Sequence, residues 1–142
     1  MSDWKPVLDE LDTSDDMQRS ETILVVDDNA ELLTFISEKL SKLYTVKTAE
    51  NGVNALKVLK EQTIDIVISD IMMPEMDGIE LCKHIKGDIE MSHIPVILLT
   101  AKNDLDSKVE GLRIGADAYI EKPFSFKYLV AKLASIFDNK RR

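Results

Sequence analysis

The sequence predicts an open α/β fold in which five parallel strands, in the order 2-1-3-4-5, are wound on both faces by helices. Three observations carry that prediction. From Thr22 onward, short β-rich runs alternate about five times with longer segments of 3.6-residue periodicity. The runs at residues 23–26, 64–69 and 95–99 are nearly continuous in Val, Ile and Leu, as strands covered on both faces must be. The run at residues 44–49 instead alternates apolar and polar side chains, which marks a sheet edge. With the second strand at the edge, the first and third become neighbours, and the crevice where connections change direction opens between them.

Each element has its own signal. The strand at residues 22–26 is followed by Asn29, a capping residue, and by a helix over residues 30–42 whose Leu32, Leu33, Ile36 and Leu40 share one face. The edge strand at 44–49 leads to a helix over 53–61 with Leu56 and Leu59 inward, then to a strand over 65–69. After a loop from Asp70 to Met76, Asp77-Gly78-Ile79-Glu80 reads as an Asp variant of the capping box and opens a helix through Lys86. A strand over 95–99 and a helix over 105–114 follow, the helix ended by Gly115. The strand at 118–120 precedes Ser125, which caps a last helix with Leu129, Leu133 and Ile136 inward.

Residues 1–21 stand apart. Asp9, Glu10, Asp12, Asp15, Asp16 and Glu21 make this segment acidic and weakly patterned, so it reads as a linker or tail, although Trp4, Leu8 and Leu11 fit one face of a short helix. The expected organisation is therefore a tail at 1–21, a domain at 22–138 and a basic tail at 139–142.

Bulk properties exclude several classes. A chain of 142 residues suits one domain, and a net charge of -8 disfavours direct contact with nucleic acid or an anionic membrane. Cys82 is the only cysteine, which rules out an internal disulfide and a thiolate metal set; it is expected as a small core residue. No apolar stretch approaches the ~20 residues of a membrane helix, and the acidic start lacks a signal peptide's features, so a cytoplasmic protein is expected.

The chemistry lies at the strand ends. Asp27 and Asp28 close the first strand, Asp70 the third, Thr100 the fourth, and Lys122 follows the fifth, so a parallel sheet brings all of them to one edge. Neighbouring carboxylates repel one another, and a hard divalent cation such as Mg²⁺ relieves the repulsion through oxygen ligands. Asp27, Asp28 and Asp70 suit that ion. A carboxylate beside such a cation can also attack phosphorus to give an aspartyl phosphate. Asp70 lies between the strand of the acid pair and the strand of Thr100, which makes it the best candidate nucleophile. Lys122 would neutralise charge on the transferring group, and Thr100 would offer it a hydroxyl.

Four segments strengthen this assignment together. Ile23-Leu24-Val25-Val26-Asp27-Asp28-Asn29, Ile68-Ser69-Asp70-Ile71-Met72-Met73-Pro74-Glu75-Met76-Asp77-Gly78, Leu98-Leu99-Thr100-Ala101-Lys102 and Gly115-Ala116-Asp117-Ala118-Tyr119-Ile120-Glu121-Lys122-Pro123-Phe124 closely resemble the response-regulator receiver domains of two-component signalling. The resemblance implies the flavodoxin-like (βα)5 fold and transfer of a phosphoryl group from a histidine kinase to Asp70. It further implies Asp28, Asp70 and the backbone carbonyl of Met72 as ligands of Mg²⁺, or of Mn²⁺ as a substitute, with Asp27 helping to position the ion. Thr100 and Tyr119 would form a switch pair, Tyr119 turning into the space that Thr100 vacates, and Lys122-Pro123 would be a cis peptide.

The resemblance also implies partners: a histidine kinase or phosphohistidine domain, a downstream output that is often transcriptional, and a homodimer made after phosphorylation through the face from Leu105 to Phe137. Receivers of this wording occur within hybrid sensor kinases, so either a segment excised from a longer protein or a stand-alone regulator is expected. Competing functions are weaker. A Mg²⁺-dependent phosphatase with an aspartate nucleophile usually carries a second acid two positions on, where this chain has Met72; a flavin module would want a glycine-rich phosphate loop in place of Asp28-Asn29. A receiver-like scaffold without phosphate chemistry would depart from the pattern at Asp28, Asp70, Thr100 or Lys122, and none departs. His84 and His93 are expected to lie away from the site, and Met72, Met73 and Met76 to pack in their loop.

Overall fold

A computed structural model describes residues 20–101 and 103–140. The expected short helix at Trp4, Leu8 and Leu11, most of the acidic tail, Lys102 and the final Arg141-Arg142 lie outside the described residues.

Strands and helices alternate throughout: β1 (Thr22–Val26), α1 (Ala30–Leu40), β2 (Thr45–Ala49), α2 (Gly52–Glu61), β3 (Ile66–Asp70), α3 (Gly78–Gly87), β4 (Val96–Ala101), α4 (Leu105–Ile114), β5 (Ala118–Lys122) and α5 (Phe126–Lys140). All pairings are parallel and the order is β2-β1-β3-β4-β5, as expected. Successive strand residues point to opposite faces, so each central strand feeds two cores. Ile23, Val25, Ile66, Ile68, Ile97 and Leu99 pack with Leu32 and Ile36 of α1 and Leu129, Leu133 and Phe137 of α5. Leu24, Val26, Val67 and Leu98 pack with Ala55 and Leu59 of α2 and Leu81, Cys82 and Ile85 of α3. Each such Leu or Ile contributes about 1.5–3 kcal/mol on burial, which is why Val, Ile and Leu fill the middle of the central strands.

The caps form as the sequence predicts. Asn29 Oδ1 accepts from Leu32 N at 3.1 Å, Asp77 Oδ1 from Glu80 N at 2.8 Å, and Ser125 Oγ from Tyr128 N at 3.2 Å. Gly115 ends α4 at φ 96°, the left-handed region where a side chain is disfavoured. At the opposite edge of the sheet from the strand C-termini, Lys86 Nζ reaches Ile94 O at 2.8 Å and Asp117 at 3.0 Å, and Asp117 accepts from Val96 N, which ties α3 to the entrances of β4 and β5.

Two expectations need correction. The first helix stops at Leu40, because the amides beyond Ser41 bond three residues back, Lys42 N to Lys39 O and Leu43 N to Leu40 O, and so close a turn. Ile136 packs partly buried against the core, as expected, and Phe137 beside it is buried and packs on Tyr44, with ring centroids 5.5 Å apart. Met73 is buried and Met76 partly so, but Met72 does not pack: it is 72% exposed at the mouth of the crevice. No helix among the described residues is long and apolar enough to cross a membrane.

Candidate functional site

The register of the ladder places the reactive residues side by side. Val26 pairs with Ser69, Asp70 with Leu99, and Thr100 and Ala101 with Glu121 and Lys122, so the ends of β1, β3, β4 and β5 form one rim. Asp27 is fixed there by its backbone N–H, which donates to Ala49 O at 3.2 Å, and by its Oδ1, which accepts from Asn29 N at 2.8 Å. Asn29 thus holds Asp27 with its amide while capping α1 with its side chain.

Carboxylate oxygens of Asp27, Asp28 and Asp70 lie within 4.8 Å of one another. Asp27 and Asp70 are buried and Asp28 is exposed, so the cluster opens to solvent on one side. Lys122 Nζ donates to Asp70 Oδ1 at 2.8 Å and stands 3.7 Å from Asp27 Oδ2, which is buried with no hydrogen-bond partner among the described residues. The donor set is entirely oxygen, and one cation serves three acids. That imbalance and the orphaned oxygen fit a hard divalent ion better than a closed structural salt bridge.

Electrostatics record the same imbalance. Burial, reinforced by the neighbouring Asp70 charge, pushes the Asp27 carboxyl from 3.8 up to about 6, against the Asn29 amide and Lys122. Burial also raises Asp70, and its hydrogen bond to Lys122 opposes the rise. Since the folded form holds the Asp27 proton more tightly, its stabilisation is complete below 3.8 and is lost as pH rises through about 6. Asp27→Asn should therefore raise the melting temperature near neutral pH without divalent cation. The gain is on the order of 1 kcal/mol, discounted for solvent beside Asp28, and fades in acid; thermal unfolding across pH checks it.

The remaining residues fall as follows. Thr100 is fully buried on β4, and its Oγ1 has no hydrogen-bond partner among the described residues. Tyr119 is half-buried on β5 with its hydroxyl buried against α4, and burial pushes that phenol up to about 12. Lys122-Pro123 is a cis peptide. Met72 follows Asp70 in the β3–α3 loop with its side chain outward. His84, on α3, and His93, before β4, are exposed and take no part in the cluster.

One residue escaped the sequence argument. Gly78 was legible only as part of a helix cap, yet its N–H donates to Ile71 O at 2.8 Å, and a Cβ there would overlap the Asp70 carbonyl oxygen and lie 2.9 Å from Ile71 Cα. Glycine is required because α3 starts against the backbone of the residue that carries the carboxylate. The only available signal was an Asp-Gly pair eight residues after a strand end.

Comparison with known proteins agrees with this geometry. The family model of the response regulator receiver domain matches residues 23–134. "Histidine kinase P4" of Formosa agariphila is 46% identical over 140 residues, which are 96% of this chain and 10% of that protein. The "Probable transcriptional regulator ycf27" of Guillardia theta is 40% identical over 122 residues, covering 85% of this chain and 47% of that one. The crystal structure of a response regulator receiver domain protein from Clostridium thermocellum superposes with a TM-score of 0.79 at 31% identity, over 85% of this chain and 97% of its own. The chain thus spans less than half the length of these two curated relatives. A parallel sheet in the order 2-1-3-4-5, an acidic crevice at its switch point and the family match agree: the chain belongs to the response regulator receiver domains of two-component signalling.

Proposed function

We infer that this domain accepts a phosphoryl group on Asp70 from the phosphohistidine of a histidine kinase and relays the change to a downstream output. The observation that carries the reading is the convergence of Asp27, Asp28 and Asp70 around one ammonium group, Lys122, bonded to Asp70 at 2.8 Å. In the step, an Asp70 oxygen attacks phosphorus, an O–P bond forms, the P–N bond breaks, and the departing imidazole takes its proton from solvent. Lys122 offsets charge on the equatorial oxygens, and Thr100 offers its unpartnered hydroxyl to one of them. Mg²⁺, or Mn²⁺ in its place, would be held by Asp28, Asp70 and the Met72 carbonyl with Asp27 positioning it, and when bound supplies Lewis-acid charge neutralisation.

Similarity to a histidine kinase and to a named regulator of transcription supports a place inside a hybrid kinase or ahead of a transcriptional output; a cytoplasmic location is part of the same proposal. The face from Leu105 to Phe137 would pair two copies after phosphorylation; light scattering that finds a monomer with and without a phosphoryl mimic removes that part. The acyl phosphate should also be long-lived, because exposed, apolar Met72 cannot orient an attacking water. Met72→Asn is expected to hasten loss of label by roughly tenfold or less, and unchanged decay contradicts this role.

The test is incubation with acetyl phosphate, with and without Mg²⁺, followed by intact mass. Gain of one phosphoryl group only with Mg²⁺ supports the reading. No gain, either here or with a phosphorylated histidine kinase as donor, would leave a receiver-like scaffold.

A further inference from the structure

Helix α4 is attached unlike the others. Its apolar residues Leu105, Val109 and Leu112 are 67%, 49% and 65% exposed, Ile114 at its end packs partly buried against the core, and its one buried residue is Gly111. Gly111 lies against the Tyr119 ring: a Cβ there would overlap the tyrosine hydroxyl and sit 2.7 Å from Cζ and 3.0 Å from Cε1. Glycine within a helix is otherwise unfavourable relative to alanine, and nothing else around Gly111 comes as close as this ring. The hydroxyl is buried with no hydrogen-bond partner among the described residues, so shape alone, without a polar anchor, holds the phenol in place. One turn before Gly111, Lys108 pairs with Glu121, which in the ladder sits opposite Thr100. The contact between α4 and β5 therefore adjoins the switch residues.

We propose that Gly111 is a positioning residue: it forms the notch that admits the Tyr119 phenol, and any side chain there turns the ring outward and disconnects the state of Asp70 from α4. The second half rests on the phosphoacceptor reading above; the first half does not.

Tyrosine nitration with tetranitromethane, mapped by peptide mass, tests the notch with internal controls, because Tyr128 is 51% exposed and Tyr44 2%. In the wild type, Tyr128 should react while Tyr44 and Tyr119 stay protected. In Gly111→Ala, Tyr119 should react at a rate approaching that of Tyr128. Equal protection of Tyr119 in both proteins overturns the proposal. Thermal unfolding gives a second measure: Gly111→Ala should lower the melting temperature in the wild type but raise it in a Tyr119→Ala background, where only the helical preference for alanine remains. The same shift in both backgrounds is also fatal.

Disconnection is read by amide NMR on adding acetyl phosphate and Mg²⁺. Uptake by Gly111→Ala should stay within twofold of wild type, with shifts confined to residues around Asp70, whereas the wild type should also shift along α4 and β5. Wild-type-like α4 shifts in Gly111→Ala, or loss of uptake by the folded variant, contradict the coupling role. If the wild type itself takes up nothing, the phosphoacceptor reading fails, while nitration still decides the notch.

Discussion

Asp70→Ala is expected to take up no phosphoryl group from acetyl phosphate at any Mg²⁺ concentration, a loss of at least about a thousandfold measured by intact mass. The neighbouring acids cannot replace it. Asp27 has one oxygen committed to the Asn29 amide and is only 1% exposed, and Asp28 is exposed to water with no ion pair to Lys122 among the described residues. The fold should persist, since the substitution removes a carboxylate whose ionised form is disfavoured by burial, and Lys122 keeps Asp27 at 3.7 Å. Asp28→Ala should differ in kind: uptake fails at ordinary Mg²⁺ and returns in part at high Mg²⁺, because on the proposed reading a metal ligand is lost and the nucleophile is kept. Wild-type labelling of Asp70→Ala would remove the site assignment.

Gly78→Ala is expected to slow phosphoryl uptake at least about tenfold while lowering stability by about 1–3 kcal/mol. The added methyl would collide with the carbonyl of Asp70 and with Ile71 Cα, which are backbone atoms that no rotamer change can move aside. Relief must come from shifting either the start of α3 or the end of β3, and the second displaces the Asp70 carboxylate from Lys122, which holds it at 2.8 Å. Gly87→Ala is the matched control. It lies at the other end of the same helix with nothing within 4 Å of its added carbon, so uptake should be unchanged and stability equal or slightly higher. Equal uptake rates for Gly78→Ala and wild type would show that the α3 start does not position the acceptor.

Much of the fold and the rim was legible because both follow from one-dimensional patterns. Continuous apolar runs mark strands covered on two faces, and the alternation at residues 44–49 identified the edge strand, which fixed the order and hence the convergence of Asp27, Asp28, Asp70, Thr100 and Lys122. What stayed hidden depends on distances between segments far apart in the chain. Gly78 against the Asp70 carbonyl and Gly111 against Tyr119 are close approaches created by docking, and a glycine near the start of a helix or inside one carries no mark of what it faces. Met72 shows the converse: its apolar side chain suggested packing, but the loop directs it outward while Met73 takes the buried place.

The most direct measurement is chemical location of the phosphoryl group. The protein, phosphorylated by acetyl phosphate with Mg²⁺, would be reduced with borohydride, which converts an aspartyl phosphate to homoserine, and then mapped by peptide sequencing. Homoserine at position 70 alone is the predicted result. Homoserine at position 27 or 28, or a stable phosphate on a histidine or hydroxyl residue, would contradict the account.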